Sequence, residues 1–356
     1  MTLSTGFERV SVALEDAFTI SRDTQTHAEN VIVRITDDGG MTGIGGAAPA
    51  PHYGDTPETV EAVLPDLLAV VEEVGDPHAL AEIETRMAET VRGNPAARTA
   101  VSIALHDLAA RRLGVPLHRL WGLDPEATPQ TSYTIGLDTT ERVHEKTEAA
   151  VEAGYPILKI KLGTDRDREL IEAVRSAAPE ATIRVDANEA WSPSETVRKS
   201  EWLAEYGVEF IEQPVPAENA EGLRVAYERS ALPIAADESC VTLSDIPRIA
   251  DRCDVANLKL MKTGGIREAR RMIAAARAHG LEVMLGCMIE TNASIAAAAQ
   301  LAPLVDYADL DGSLLLASDP ITGPDLTGGR IRLDADANGT GVRESDDSGR
   351  ATGVRE

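Results

Sequence analysis

Three carboxylates recur at nearly one interval. Asp186 lies in Arg-Val-Asp-Ala-Asn, Glu212 in Ile-Glu-Gln-Pro and Asp237 in Ala-Ala-Asp-Glu-Ser, 26 and 25 residues apart. Each follows a short apolar run, and one strand with its returning helix takes about that length. The three side chains therefore occupy the same place on consecutive strands and converge. Convergent carboxylates at an apolar strand end stay ionised only beside a compensating cation. Hard oxygen donors of this kind suit Mg²⁺, and Mn²⁺ also fits.

Lysine usage makes a second argument. The chain has 34 Lys and Arg residues, of which only six are Lys, and four of those six are Lys159, Lys161, Lys259 and Lys262. Arginine stays charged, whereas lysine can lose its proton when its surroundings lower its pKa. Lys159 and Lys161 are two apart and face one side of a strand. Each disfavours protonation of the other, and a nearby Mg²⁺ would push the same way. Lys259, in Asn-Leu-Lys-Leu-Met-Lys, ends another apolar run. Lys262 is expected to face solvent or shape the loop, outside the site. A single strand-end acid is usually a helix cap, a lone Lys-x-Lys a solvated edge, and Glu-Gln-Pro a turn. Their conjunction, in order and at this spacing, points to metal-assisted proton transfer.

The elements that position these residues follow from the apolar pattern. Eight short runs alternate with helix-length amphipathic segments: 132–135, 157–160, 182–185, 208–211, 232–235, 255–260, 283–285 and 307–310. That pattern predicts a parallel βα array. A barrel fits it better than an open sheet, because no glycine-rich phosphate loop follows the first strand. Barrel enzymes carry their chemistry at the C-terminal strand ends, where these residues lie. Residues 1–55 read as strands and turns, with Asp37-Asp-Gly-Gly40 as a turn, and about 57–113 as helices stopped by Gly114-Val-Pro116. The fold class is α/β, a modified TIM barrel of (β/α)7β type with an N-terminal α+β capping domain. The expected boundaries are 1–120 for the cap, 121–315 for the barrel, 316–333 for a segment returning to the cap, and 334–356 for a disordered acidic tail.

Composition excludes several partners. Net charge is −25, from 59 acidic against 34 basic residues, which repels nucleic acid and anionic membranes. Acidic excess with Arg in place of Lys fits a high-salt cytoplasm, where a Debye length of about 3 Å at 1 M screens the self-repulsion. Three scattered Cys form no disulfide framework, and no signal pattern or long apolar stretch opens the chain, so a cytoplasmic location is expected. None of the seven His falls in a ligand spacing.

Lys-x-Lys, then Asp, Glu and Asp on successive strands, then Lys on the sixth, resembles the muconate-lactonizing subgroup of the enolase superfamily from Val10 to about Leu333. The resemblance implies a shared step, removal of a proton alpha to a carboxylate, giving an enediolate held on Mg²⁺. Carried over, Asp186, Glu212 and Asp237 bind the metal. Lys161 and Lys259 are the acid/base pair on opposite faces of the alpha carbon, and Lys159 neutralises the substrate carboxylate. Asp309-Leu-Asp311 resembles the Asp-x-Asp of dipeptide epimerases of the L-Ala-D/L-Glu type, which implies that Asp309 and Asp311 hold the ammonium of a dipeptide. Segments 131–135 and 286–291 also resemble that group, placing Thr134 and Met288 against the substrate. Arg22, in a capping loop, could pair with an acidic second side chain as in Ala-Glu epimerases. One departure is Gly43-Ile-Gly-Gly46, where such proteins often show Gly-x-Gly-Glu. The alternatives are an N-acylamino-acid racemase, an o-succinylbenzoate synthase or a cycloisomerase of the same subgroup, or a catalytically silent metal- or peptide-binding barrel. A homo-oligomer is compatible with such a barrel.

Overall fold

The computed structural model describes residues 2–345. The chain opens with an antiparallel sheet, β1 (Leu3–Ile20), β2 (Asp23–Asp37) and β3 (Thr42–Ala47), paired in that order. Only two residues, Ser21 and Arg22, join β1 to β2, so Arg22 stands at the tip of a long hairpin. The expected turn after β2 forms as read. Asp37 Oδ1 accepts from Gly39 N at 2.9 Å and Met41 N at 3.0 Å, and Gly40 takes φ 83°.

Three helices cover this sheet: α1 (Pro57–Val74), α2 (Leu80–Thr90) and α3 (Pro95–Leu113). α1 starts on a reciprocal cap between Thr56 and Thr59 and stops at Gly75, in the left-handed region that glycine enters without penalty. α3 is almost entirely buried and Ala-rich, which lets it press on β3. A methyl group on Gly43 would lie 2.1 Å from Ala104 O, and one on Gly45 2.1 Å from Ala100 O. Gly46 faces the start of the buried helix Asn292–Leu301, where a Cβ would meet that of Ala293 at 3.0 Å. Any side chain there requires that helix start to give by a few tenths of an ångström.

Eight parallel strands follow: β4 (Tyr133–Ile135), β5 (Ile157–Lys161), β6 (Thr182–Asp186), β7 (Val208–Glu212), β8 (Ile234–Ala236), β9 (Val255–Lys259), β10 (Glu282–Gly286) and β11 (Tyr307–Asp309). Each pairs with its chain neighbour, and Thr131 bridges Ala308, with Ser132 N donating to Ala308 O at 3.2 Å. The sheet thus closes on itself as a barrel. The fifth strand begins later than its apolar run because Pro233 has no N–H to donate. The strands are buried on both faces, which is why they read as continuous apolar runs.

After the barrel the chain returns to the cap. Leu316 bridges Leu14, and Ala317 N donates to Ala13 O at 2.9 Å. The expected disordered tail does not begin at 334. Leu117 N donates to Gly339 O at 2.8 Å, and Thr340 gives N–H and Oγ1 bonds of 2.7 and 2.9 Å to buried Asp107 Oδ1. Arg343–Glu344 pairs with Ile321–Thr322. A polar, Gly-rich segment is ordered here because it satisfies Oδ1 of a buried carboxylate whose Oδ2 is already taken by Ile44 N and Arg111 Nε. Residues 346–356 lie outside the described residues. No helix among the described residues is long and apolar enough to cross a membrane.

Candidate active site

The C-terminal strand ends and the cap hairpin enclose a cavity of about 620 Å³. All eleven residues singled out in the sequence lie in or around it. Lys159, Lys161, Lys259, Asp237, Asp309, Asp311, Thr134, Met288 and Arg22 line it directly. Asp186 and Glu212 sit fully buried behind the two strand-end lysines and Lys159.

Strand order fixes the geometry. β5 and β9, which carry Lys161 and Lys259, are four places apart in a ring of eight, so the two lysines face each other. β7, carrying Glu212, and β11, carrying Asp309, stand on the crossing diameter. Asp186, Glu212 and Asp237 occupy one arc between the lysines, with ligand oxygens within 4.8 Å of one another. Lys161 Nζ donates to Asp186 Oδ2, and Lys259 Nζ to Asp237 Oδ2, each at 2.7 Å.

Lys159 lies one layer deeper. Its Nζ is 2.7 Å from Asp309 Oδ2, 2.8 Å from Glu212 Oε2 and 3.2 Å from Asp186 Oδ2. Asp309 also accepts from Ser132 Oγ at 2.5 Å, so both its oxygens are engaged. Asp311 Oδ2 accepts from Thr134 N at 2.5 Å, and no hydrogen bond among the described residues engages its Oδ1.

Burial by itself would raise Asp186 and Asp237, but the lysines facing them hold both below the usual carboxylate range. Burial, reinforced by the charge of Asp186, pushes Glu212 up to about 8. Burial beside Asp309 brings Asp311 to about 7. Lys159 and Lys259 differ from expectation. Burial favours their neutral form, yet Asp309, Glu212 and Asp186 raise Lys159 well above its ordinary value, and Asp237 raises Lys259. At Lys159 and Lys259 the neighbouring carboxylates outweigh burial and the repulsion of other lysines.

Several contributors escaped the sequence reading. Lys262 does not face solvent. It is buried, donates to Asp237 O at 2.6 Å and Asn257 O at 3.0 Å, and pairs with Asp237 Oδ1. The scarcity of lysine already pointed to it. Gln213 Oε1 accepts from Asp237 N at 2.9 Å and Ser239 N at 3.0 Å, tying the loop after β7 to that after β8. Asn188, Glu189 and Gln213 take φ of 43°, 70° and 31° without being glycine, a cluster of strain in the loops after β6 and β7. His52, Glu189 and Glu238 gather at the rim, although no His spacing predicted it. Arg22 fills that group: Nη2 donates to Glu238 Oε1 at 2.6 Å, and Nη1 lies 3.3 Å from Glu189 Oε2. Nothing in the sequence marks these contacts, because they join the cap hairpin to loops more than 160 residues away.

A barrel with paired lysines across three convergent acids defines a class, the acid/base barrels that work beside a carboxylate-bound cation. The mandelate racemase / muconate lactonizing enzyme N-terminal domain model matches residues 5–122, and the enolase C-terminal domain-like model matches 142–348. The chain belongs to this family of the enolase superfamily. It is 41% identical over 332 residues to an L-Ala-D/L-Glu epimerase of Bacteroides thetaiotaomicron, covering 92% of this chain and 85% of that one. A substrate-liganded L-Ala-D/L-Glu epimerase from Bacillus subtilis superposes with a TM-score of 0.90 at 32% identity, over 96% and 99% of the two chains. A dipeptide epimerase from Methylococcus capsulatus, complexed with Mg and L-Arg-D-Lys, gives 0.87 at 34% identity and the same coverage.

Proposed function

We propose that this protein is a dipeptide epimerase that inverts the alpha carbon of the second residue by a 1,1-proton transfer. The observation that carries the reading is the crossed arrangement. The lysines lie on one diameter of the barrel, and the carboxylate cluster and Asp311 on the other. A dipeptide laid along the second diameter presents its alpha carbon between the lysines. Its ammonium meets Asp311, with the charge of Asp309 behind, and its carboxylate points toward Asp186, Glu212 and Asp237.

Lys161 and Lys259 then act on opposite faces. One, neutral at the start, takes the alpha proton. The other, protonated, delivers a proton to the far side, and the stereocentre inverts. Asp186 and Asp237 aim the two amines through their 2.7 Å bonds. Lys159 neutralises acid charge beneath the substrate carboxylate, and Lys262 fixes Asp237 from behind. Thr134 holds Asp311, and Met288 lines the wall where the second side chain lies.

The donor set fits a divalent cation. Three buried carboxylates offer hard oxygens close together, and Glu212 Oε2 makes no aligned hydrogen bond despite Lys159 nearby. Asp186, Glu212 and Asp237 would hold Mg²⁺, and the same oxygens accept Mn²⁺. Such an ion would supply electrostatic stabilisation of the charge developing on the substrate carboxylate.

The test is solvent exchange. Purified protein with Mg²⁺ and a pool of dipeptides in D₂O is expected to place deuterium at the second residue's alpha carbon, read by mass spectrometry. EDTA should stop it. Lys161→Ala and Lys259→Ala should each slow epimerisation by about a thousandfold or more, while each leaves exchange of one epimer measurable. A folded, metal-loaded protein that exchanges no dipeptide would remove this reading.

A further inference from the structure

The wall that faces the second side chain carries a cation whose charge is already spent. Arg22 descends from the hairpin tip and meets three barrel groups: Glu238 Oε1 at 2.6 Å, Asn188 O at 3.1 Å and Glu189 Oε2 at 3.3 Å. Both carboxylates are well covered, with side-chain exposures of 1% for Glu238 and 12% for Glu189. Glu189 is independently fixed: its Oε1 accepts from Ala217 N at 2.7 Å, and its backbone N–H donates to Gln213 O at 2.8 Å. Its position in the strained φ region makes it a costly residue to place there.

The other guanidinium on this wall, Arg9, is bound in the same way, by Glu29 at 2.8 Å and Glu58 at 2.7 Å. Asp23 adds a carboxylate beside Arg22 on the cavity wall. Phe18, Ile20, Met288 and Ile289 add apolar surface; of the polar groups nearby, His52 is itself turned to Glu189, its Nε2 3.3 Å from Oε2, and Gln25 and His27 complete the lining. A substrate carboxylate brought to Arg22 would therefore be a third acid on one guanidinium, held close to two fixed ones. Like charges juxtaposed in a covered site are costly.

Resting on the epimerase reading above, we propose that the second-residue pocket takes uncharged side chains in preference to acidic ones. Glu189 is the specificity-determining residue, since it holds Arg22 neutralised and withheld from the substrate.

L-Ala-L-Gln and L-Ala-L-Glu decide it, because they differ only by an amide in place of a carboxylate. With the Mg²⁺-loaded full-length protein in D₂O, kcat/KM for exchange is expected to favour Ala-Gln by about tenfold or more. Glu189→Gln keeps an acceptor for Ala217 N but removes the charge, and should shift the ratio toward Ala-Glu by about tenfold. Arg22→Gln should move the wild-type ratio by less than about threefold, since Arg22 does not read the side chain. That variant and the wild-type ratio keep the test decisive if Glu189→Gln fails to fold. Ala-Glu equal to or ahead of Ala-Gln in the wild type, or a selective loss of Ala-Glu in Arg22→Gln, overturns the proposal and leaves the epimerase reading standing. Exchange with no dipeptide overturns both.

Discussion

At the scale of single residues, Asp311 sets a pH window. Burial beside Asp309 holds its carboxyl at about 7. An acid raised in this way is ionised only above that value, so its charge for an ammonium is absent at pH 6 and present at pH 8. KM for a dipeptide should therefore fall as pH rises through about 7. It should rise again as the substrate's own α-amino group deprotonates near about 8. Asp311→Asn should raise KM by about a hundredfold and abolish the improvement between pH 6 and 8. Initial rates across pH at several dipeptide concentrations check it, and an unchanged KM profile in the variant would remove Asp311 from ammonium binding.

At the scale of elements, the contact between α3 and β3 is the tightest in the cap. Gly45→Ala places a methyl 2.1 Å from Ala100 O, against backbone that cannot rotate away. It should cost more than about 3 kcal/mol in urea unfolding, because relief requires moving α3 off the sheet. The eight barrel strands were legible from the sequence, since strands buried on both faces carry uninterrupted apolar runs. Asp186, Glu212 and the strand-end lysines were legible for the same reason, as polar residues closing those runs. Lys262 was misplaced because it lies one turn past the strand, where periodicity no longer says which way a side chain points. The ordered stretch 334–345 was missed because its order comes from Asp107, more than 200 residues away, and not from any pattern of its own. Arg22 was found as a residue, but its partners Glu189 and Glu238 were not, since two loops and a hairpin meet there only after folding.

At the scale of the whole molecule, charge dominates. With 59 acidic residues against 34 basic, the folded chain repels itself, and salt relieves that repulsion. Raising KCl from about 0.1 M to about 2 M should raise the melting temperature steadily. The buried pairs of Lys161 with Asp186 and Lys259 with Asp237 are shielded from solvent ions and should be little affected. Scanning calorimetry across salt checks this, and a flat or falling melting temperature would remove the high-salt reading.

The barrel closes where its first and last strands meet, at Thr131 and Ala308, and the acids proposed to receive the ammonium sit on that seam. Ser132 reaches Asp309 and Thr134 reaches Asp311, each across 177 residues of chain. During synthesis, which runs from the N-terminus, the first strand has emerged long before its partner exists. The proposed ammonium site is thus completed last, after the carboxylate cluster and both lysines are already available. A nascent or prematurely terminated chain lacking the final strand has Asp186, Glu212 and Asp237 but neither Asp309 nor Asp311, and so lacks the whole of the proposed ammonium site.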